Sequence, residues 1–76
     1  MFDYLVNKRE VKKISRKEIA AEIGISVRTY EKYELGELSL NDAKFSTVMQ
    51  LCYILDIDIE ELKLQLAIMY MRKISK

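Results

Sequence analysis

The stretch Ser15 to Gly36, SRKEIAAEIGISVRTYEKYELG, constrains the fold more tightly than any other part of this 76-residue chain. It carries a helix-start signal twice, with a glycine between. Ser15 stands where a cap belongs. Glu18, three residues on, completes a capping box in which each side chain satisfies the other residue's backbone N–H. Ile14 and Ile19 have the spacing of a hydrophobic staple across that cap. Ile19, Ala20 and Ile23 then share one face of a helix. Gly24 ends it, because glycine enters the left-handed C′ conformation without strain. The signal starts again at once: Ile25 precedes the cap, Ser26 is the cap, and Tyr30 holds the staple position. The second helix turns Tyr30 and Tyr33 inward and leaves Val27, Arg28, Glu31 and Lys32 outward. The segment reads as two short helices joined by a tight turn.

The rest of the composition fits one small helical domain. Proline is absent, glycine occurs twice and half the residues are hydrophobic, which points to helices with short connections. A single cysteine excludes an internal disulfide, and the lack of histidine excludes any His-bearing metal or catalytic set. No metal-ligand set, nucleophile–base pair or phosphate loop is present, so neither an enzyme nor a cofactor is expected. The first ten residues, MFDYLVNKRE, have an acid at position 3 and no long apolar core, so no secretory leader is expected. The longest apolar run, Leu66 to Met71, is far too short to span a membrane. A cytoplasmic location follows as the expectation.

The ordered set around Gly24 resembles the helix-turn-helix of the lambda-repressor and Cro-like proteins, the XRE family. The matching features are Ala20, Gly24 four residues later, the apolar Ile25, and the ending Tyr33-Glu34-Leu35-Gly36. Family members carry an apolar residue, Glu, any residue and Gly at that ending. The resemblance runs from Arg9 to about Leu62. It implies an all-α fold: a compact five-helix domain over residues 1–62, with the helix-turn-helix in helices 2 and 3. Ala20 would mark the place where those two helices cross. The partner it implies is double-stranded DNA, with the third helix in the major groove.

Carried over residue by residue, the resemblance assigns Val27, Arg28 and Lys32 to base edges. Arg28 can pair with guanine O6 and N7, Lys32 can reach a guanine or a phosphate, and Val27 can only pack on a thymine methyl or a sugar. Thr29 can reach a phosphate through its hydroxyl. Glu31, repelled by phosphates, either contacts a cytosine amino group or points away. Tyr30 and Tyr33 belong to the core by spacing, with a hydroxyl emerging at the DNA phosphates, Tyr30 more readily. The first residue of the second helix is usually a phosphate-touching glutamine in the family; here it is Arg16, followed by Lys17. Both are assigned to phosphates, although cations at a helix start oppose the helix dipole. The resemblance also implies a partly buried ion pair between Arg9 and Glu34, tying helix 1 to helix 3.

Charge is unevenly spread. Residues 1–33 hold eight basic and five acidic side chains, residues 34–62 one and seven, and residues 63–76 four and none. A basic nucleic-acid surface backed by an acidic one fits this, and a mixed, solvated surface fits charge alone equally well.

The flanking helices follow from periodicity. Helix 1 is expected over about Phe2 to Val11, with Phe2, Leu5 and Val6 on its apolar face and Val11 near its end. Ser39 and Asp42 predict one isolated, boxed helical turn, with Leu40 as a buried plug. Helix 4 is expected from about Lys44 to Asp56, with a core stripe of Phe45, Val48, Leu51, Cys52 and Leu55. Asp58 and Glu61 predict a boxed start for helix 5, with Ile57 and Leu62 as its staple. In helix 5, Ile59, Leu62, Leu66, Met69 and Tyr70 cluster on one face, and Leu64, Ala67, Ile68 and Met71 on another. A monomer of this size buries one face. The segment 63–76 is therefore read as an extension of the last helix that carries a dimer interface of Leu64, Ala67, Ile68 and Met71. A different protein, or a membrane surface joined by Arg72, Lys73 and Lys76, are the rival occupants.

The combined reading is a sequence-specific DNA-binding transcriptional regulator, a repressor, acting as a homodimer on an inverted repeat. The alternative is a protein-interaction module on the same fold, of antitoxin or inhibitor type, with weak or no DNA binding.

Overall fold

The computed structural model describes residues 1–74, with side chains through residue 72. Ser75 and Lys76, the end of the 63–76 segment, lie outside the described residues. Five α-helices follow in order: α1 (Asp3–Lys12), α2 (Arg16–Ile23), α3 (Val27–Leu35), α4 (Phe45–Leu55) and α5 (Ile59–Ile74). A single 3₁₀ turn, Leu40–Asp42, lies between α3 and α4, and there is no strand among the described residues. α2 packs on α3 and α4, and α1 packs on the same two helices.

Local chemistry accounts for the helix ends. The Ser15 hydroxyl accepts from the Glu18 N–H at 3.1 Å, and the Glu18 carboxylate accepts from the Ser15 N–H at 3.2 Å. Ser26 caps α3 by accepting from the Thr29 N–H at 3.1 Å. Gly24 ends α2 with φ +76°. The ends of α1 and α4 are less ordinary. They also stop on left-handed residues, but these are Lys13 (φ 56°) and Asp56 (φ 55°), not glycines. Each gains the hydrogen bonds that close a helix: the Lys13 N–H donates to the Arg9 and Glu10 carbonyls, the Asp56 N–H to that of Cys52.

The core is one cluster that draws on every helix. Leu5, Ile19, Tyr30, Leu51, Leu55 and Leu62 are almost wholly enclosed, and Leu40 plugs the space under the 3₁₀ turn. Val6, assigned to the apolar face of α1, is only partly buried and lies outside this cluster, and Val11, read only as lying near the end of α1, is 77% exposed. Phe45 and Tyr70, assigned to core faces, are also exposed. Phe45 is 72% exposed, as the first residue of α4, on the rim of a shallow cavity lined by Leu40, Val48, Ile59 and Leu62. Tyr70 is 60% exposed, because it lies at the edge of the α5 face on which Leu66 is buried and Met69 packs against the core. Two capping boxes also differ. The Asp58 carboxylate caps α5 by accepting from the Glu60 N–H, but Glu61 accepts from the Tyr4 hydroxyl and faces Lys8 Nζ at 3.7 Å. α1 offers that carboxylate better partners than its own helix start does. At the 3₁₀ turn, Ser39 accepts from the Asn41 N–H, since the turn is too short for a box closed at the third residue.

Candidate nucleic-acid interface

The outward face of α3 is set by what the inward face buries. Tyr30 and Glu34 are enclosed, which leaves Arg28 and Lys32 exposed on the opposite side. Val27 opens the face, 36% exposed, and Leu35 closes it, 47% exposed. Leu35 lies seven residues after Arg28 and three after Lys32, a spacing that places it on their face. Counting α3 residues round the helix finds it, although in the sequence it stands out only as part of the Tyr33-to-Gly36 ending. Among the described residues, no carboxylate pairs with Arg28, Lys32 or Lys17. Thr29 is half-buried, and its hydroxyl accepts a hydrogen bond from the Ser26 hydroxyl at 2.9 Å, an arrangement that leaves its own proton available.

Behind this face lies a charged cluster. Glu34, 2% exposed, receives Arg9 Nε on one carboxylate oxygen at 2.6 Å and Arg16 Nε on the other at 2.9 Å. Arg9 Nη2 also donates to Glu34 at 3.4 Å, and its Nη1 donates to the Ile14 carbonyl at 3.0 Å. One carboxylate thus joins the ends of α1, α2 and α3. Burial pushes the Glu34 carboxyl up, but the hydrogen bonds from Arg9 and Arg16 outweigh it and hold its pKa below the ordinary carboxylate range. The same pairing raises the Arg9 guanidinium further.

A helix-turn-helix family model, HTH_3, matches residues 5–62, three quarters of the chain and the whole of this arrangement. The chain belongs to the lambda-repressor/Cro-like helix-turn-helix family. This is a family of DNA-binding transcription regulators, not normally enzymes. No curated protein and no solved structure gives a significant match.

The structure alone places the residues assigned to DNA. Arg28, Lys32 and Val27 share the exposed face of α3, and Lys17 stands exposed near the start of α2. Tyr30 requires a correction. It was assigned to a phosphate through its hydroxyl, but the side chain is wholly enclosed, and among the described residues no group meets that hydroxyl in hydrogen-bond geometry. Its ring fills the space between α3 and its neighbours, so the hydroxyl ends inside the domain. Burial, and then the nearby Glu34 carboxylate, push its pKa up and keep it protonated. Arg16 is partly redirected: its Nε is taken up by Glu34, while the half-exposed remainder of the guanidinium faces outward beside Glu31. Cys52 is buried in the core, and burial followed by the charge of Asp58 raises its thiol pKa, which leaves it an inert small hydrophobe. Among the described residues, no group of three His, Cys, Asp or Glu is placed to hold a metal, and no helix is long and apolar enough to cross a membrane.

Proposed function

We propose that this helix-turn-helix protein is a transcriptional repressor that binds an inverted repeat in double-stranded DNA as a homodimer. The observation that carries this reading is the exposed, unpaired pair Arg28 and Lys32 on the outward face of a capped, rigidly backed α3. Solvated cations on a helix anchored by its other side are what a major groove reader requires. Arg28 reads a guanine, Lys32 a guanine or a phosphate, and Val27 packs on a thymine methyl or a sugar. Lys17, Thr29 and the outer side of Arg16 contact phosphates, which supply most of the affinity.

The dimer reading is supported by α5. Leu64 (58%), Ile68 (38%) and Met71 (66%) lie exposed with Ala67 on the face turned away from Leu62 and Leu66. Such an apolar row against water favours a second copy across a two-fold axis. Two recognition helices would then stand about 34 Å apart, one turn of the duplex. A second reading, an interaction module for another protein, draws on Phe45, Met49 and Tyr53. These recur every four residues along α4 and are 72%, 40% and 89% exposed.

Mobility shift at moderate salt, on a site selected from a random pool and on random duplex, tests the first reading. The Arg28→Ala variant should lose about 1–3 kcal/mol on the selected site and little on random DNA, while Lys17→Ala weakens both alike. No retardation of either DNA by the wild type would transfer the case to the second reading.

A further inference from the structure

Arg16 holds two carboxylates of very different kinds. On the inner side its Nε donates to Glu34, which is 2% exposed and fixed from the other side by Arg9. On the outer side its Nη1 stands 4.0 Å from Glu31 Oε2, at the limit of an ion pair, with both side chains nearly half exposed (45% and 43%). The inner contact is a fixed anchor. The outer one is long, solvated and worth little to the fold. Glu31 itself stands on α3 three residues after Arg28 and next to Lys32, so the outer side of Arg16 borders the proposed recognition face.

An arginine anchored this way offers an anion a guanidinium whose orientation is already set. In the free chain the anion at hand is Glu31. A DNA phosphate is the same kind of ligand, and at Nη1 it meets the Glu31 charge. We propose that Glu31 is an intramolecular stand-in for a backbone phosphate. It holds the outer side of Arg16 until the duplex docks and is displaced by a phosphate there, so it lowers affinity for every sequence without reading a base. This rests on the DNA-binding reading above. It assigns Glu31 a role that neither a cytosine contact nor a passive surface charge would have. The neighbouring cations Arg28, Lys32 and Lys17 have no such carboxylate among the described residues, so the effect is local to Arg16.

The test is Glu31→Gln in the full chain, with affinity measured by fluorescence anisotropy on a selected site and on a random-sequence duplex. The control is Glu22→Gln, which removes the same charge from the α2 surface that faces Met49 and Tyr53, away from Arg16. Glu31→Gln should tighten both DNAs by about two- to fivefold, the range expected for freeing one end of a surface ion pair, and by clearly more than the control. In an Arg16→Gln background the gain should vanish. Should that variant melt below the assay temperature, Arg16→Lys, which keeps the charge and loses the two-sided geometry, replaces it, and the gain should shrink. A Glu31→Gln affinity equal to wild type or to the control overturns the proposal and leaves DNA binding standing. An undiminished gain without Arg16 also overturns it, because the effect would then be a general field. A wild type that binds neither duplex removes both this proposal and the reading beneath it.

Discussion

Replacing Glu34 by Gln keeps its shape and removes its charge, and the structure sets what that loss should do. Arg9 is 12% exposed and would remain in place with a neutral amide against it. Breaking a buried pair from one side costs about 3–5 kcal/mol, because the remaining charge is stranded. The low end applies here: Arg9 keeps the Ile14 carbonyl, and Arg16, nearly half exposed, can turn to water. A domain of this length has a total stability of about 4–11 kcal/mol, so a loss of about 3 kcal/mol leaves a weakened but folded variant. Urea denaturation followed by helical circular dichroism should show the midpoint falling by roughly 3 M at an unchanged slope of about 1 kcal/mol/M. Arg9→Met should restore part of the loss in the double variant, since it removes the stranded charge. Acid supplies an independent arm. The Glu34 pKa lies below its ordinary value, so the unfolded chain binds the extra proton. The stabilisation is complete above the ordinary carboxylate range and is lost as pH falls through that range towards the native pKa. Wild type and Glu34→Gln should therefore converge in stability on acidification. A loss under about 1 kcal/mol with no coupling to Arg9 would refute the buried anchor and place both groups in effectively aqueous surroundings.

Three other substitutions probe separate parts of the molecule. Tyr30→Phe should leave DNA affinity unchanged and hold or raise the melting temperature, because the hydroxyl it deletes is enclosed without a partner; weaker binding to random duplex would return that hydroxyl to the phosphates. Lys13→Gly should stabilise the domain by about 0.5–1 kcal/mol in urea, since φ 56° strains a residue bearing a Cβ and the side chain is exposed. Ile68→Glu, at the middle of the exposed α5 row, should give a folded monomer in sedimentation velocity and weaken binding to a two-site duplex while sparing a single half-site; a wild type that stays monomeric at high concentration would assign that row to another partner.

What could be read in the sequence, and what could not, divides along one physical line. Caps and turns are local: Ser15 with Glu18, Ser26, Gly24 and Gly36 determine backbone geometry through neighbours within a few residues, and α2 and α3 begin and end where those residues place them. Periodicity is nearly as local, and it separated Leu62 and Leu66 from Leu64 and Ile68 on α5. It failed where a helix meets an edge. Phe45 and Tyr70 have core spacing, but one opens a helix and the other lies at the edge of the packed face of α5, and spacing cannot say how far the neighbouring elements reach. Glu61 shows the same limit in polar form. Its box with Asp58 is sound locally, and it yields to Tyr4 and Lys8 because α1 happens to lie alongside. The left-handed end at Lys13 had no signal, since lysine does not favour that conformation, and the one at Asp56 had only a weak one, aspartate being enriched there but far more often found elsewhere.

The site follows the same division and adds one step. Which residues of α3 face outward is a matter of helix geometry, so Arg28 and Lys32 were legible and Leu35 could have been. The Arg9–Glu34 pair was legible only through the family resemblance, and that Glu34 also takes Arg16 is a three-helix fact. Neither Arg9 nor Arg16 lies within helical reach of it, and a charge at the start of α2 reads from sequence as a free cation. Because Arg16 is instead half spent inside the domain, the α2 start presents one fully free cation, Lys17, and one conditional on Glu31. On the DNA-binding reading, a carboxylate on α3 thus modulates one of several phosphate contacts, and substitutions at Glu31 should shift affinity modestly on every DNA sequence while those at Arg28 tune preference among them.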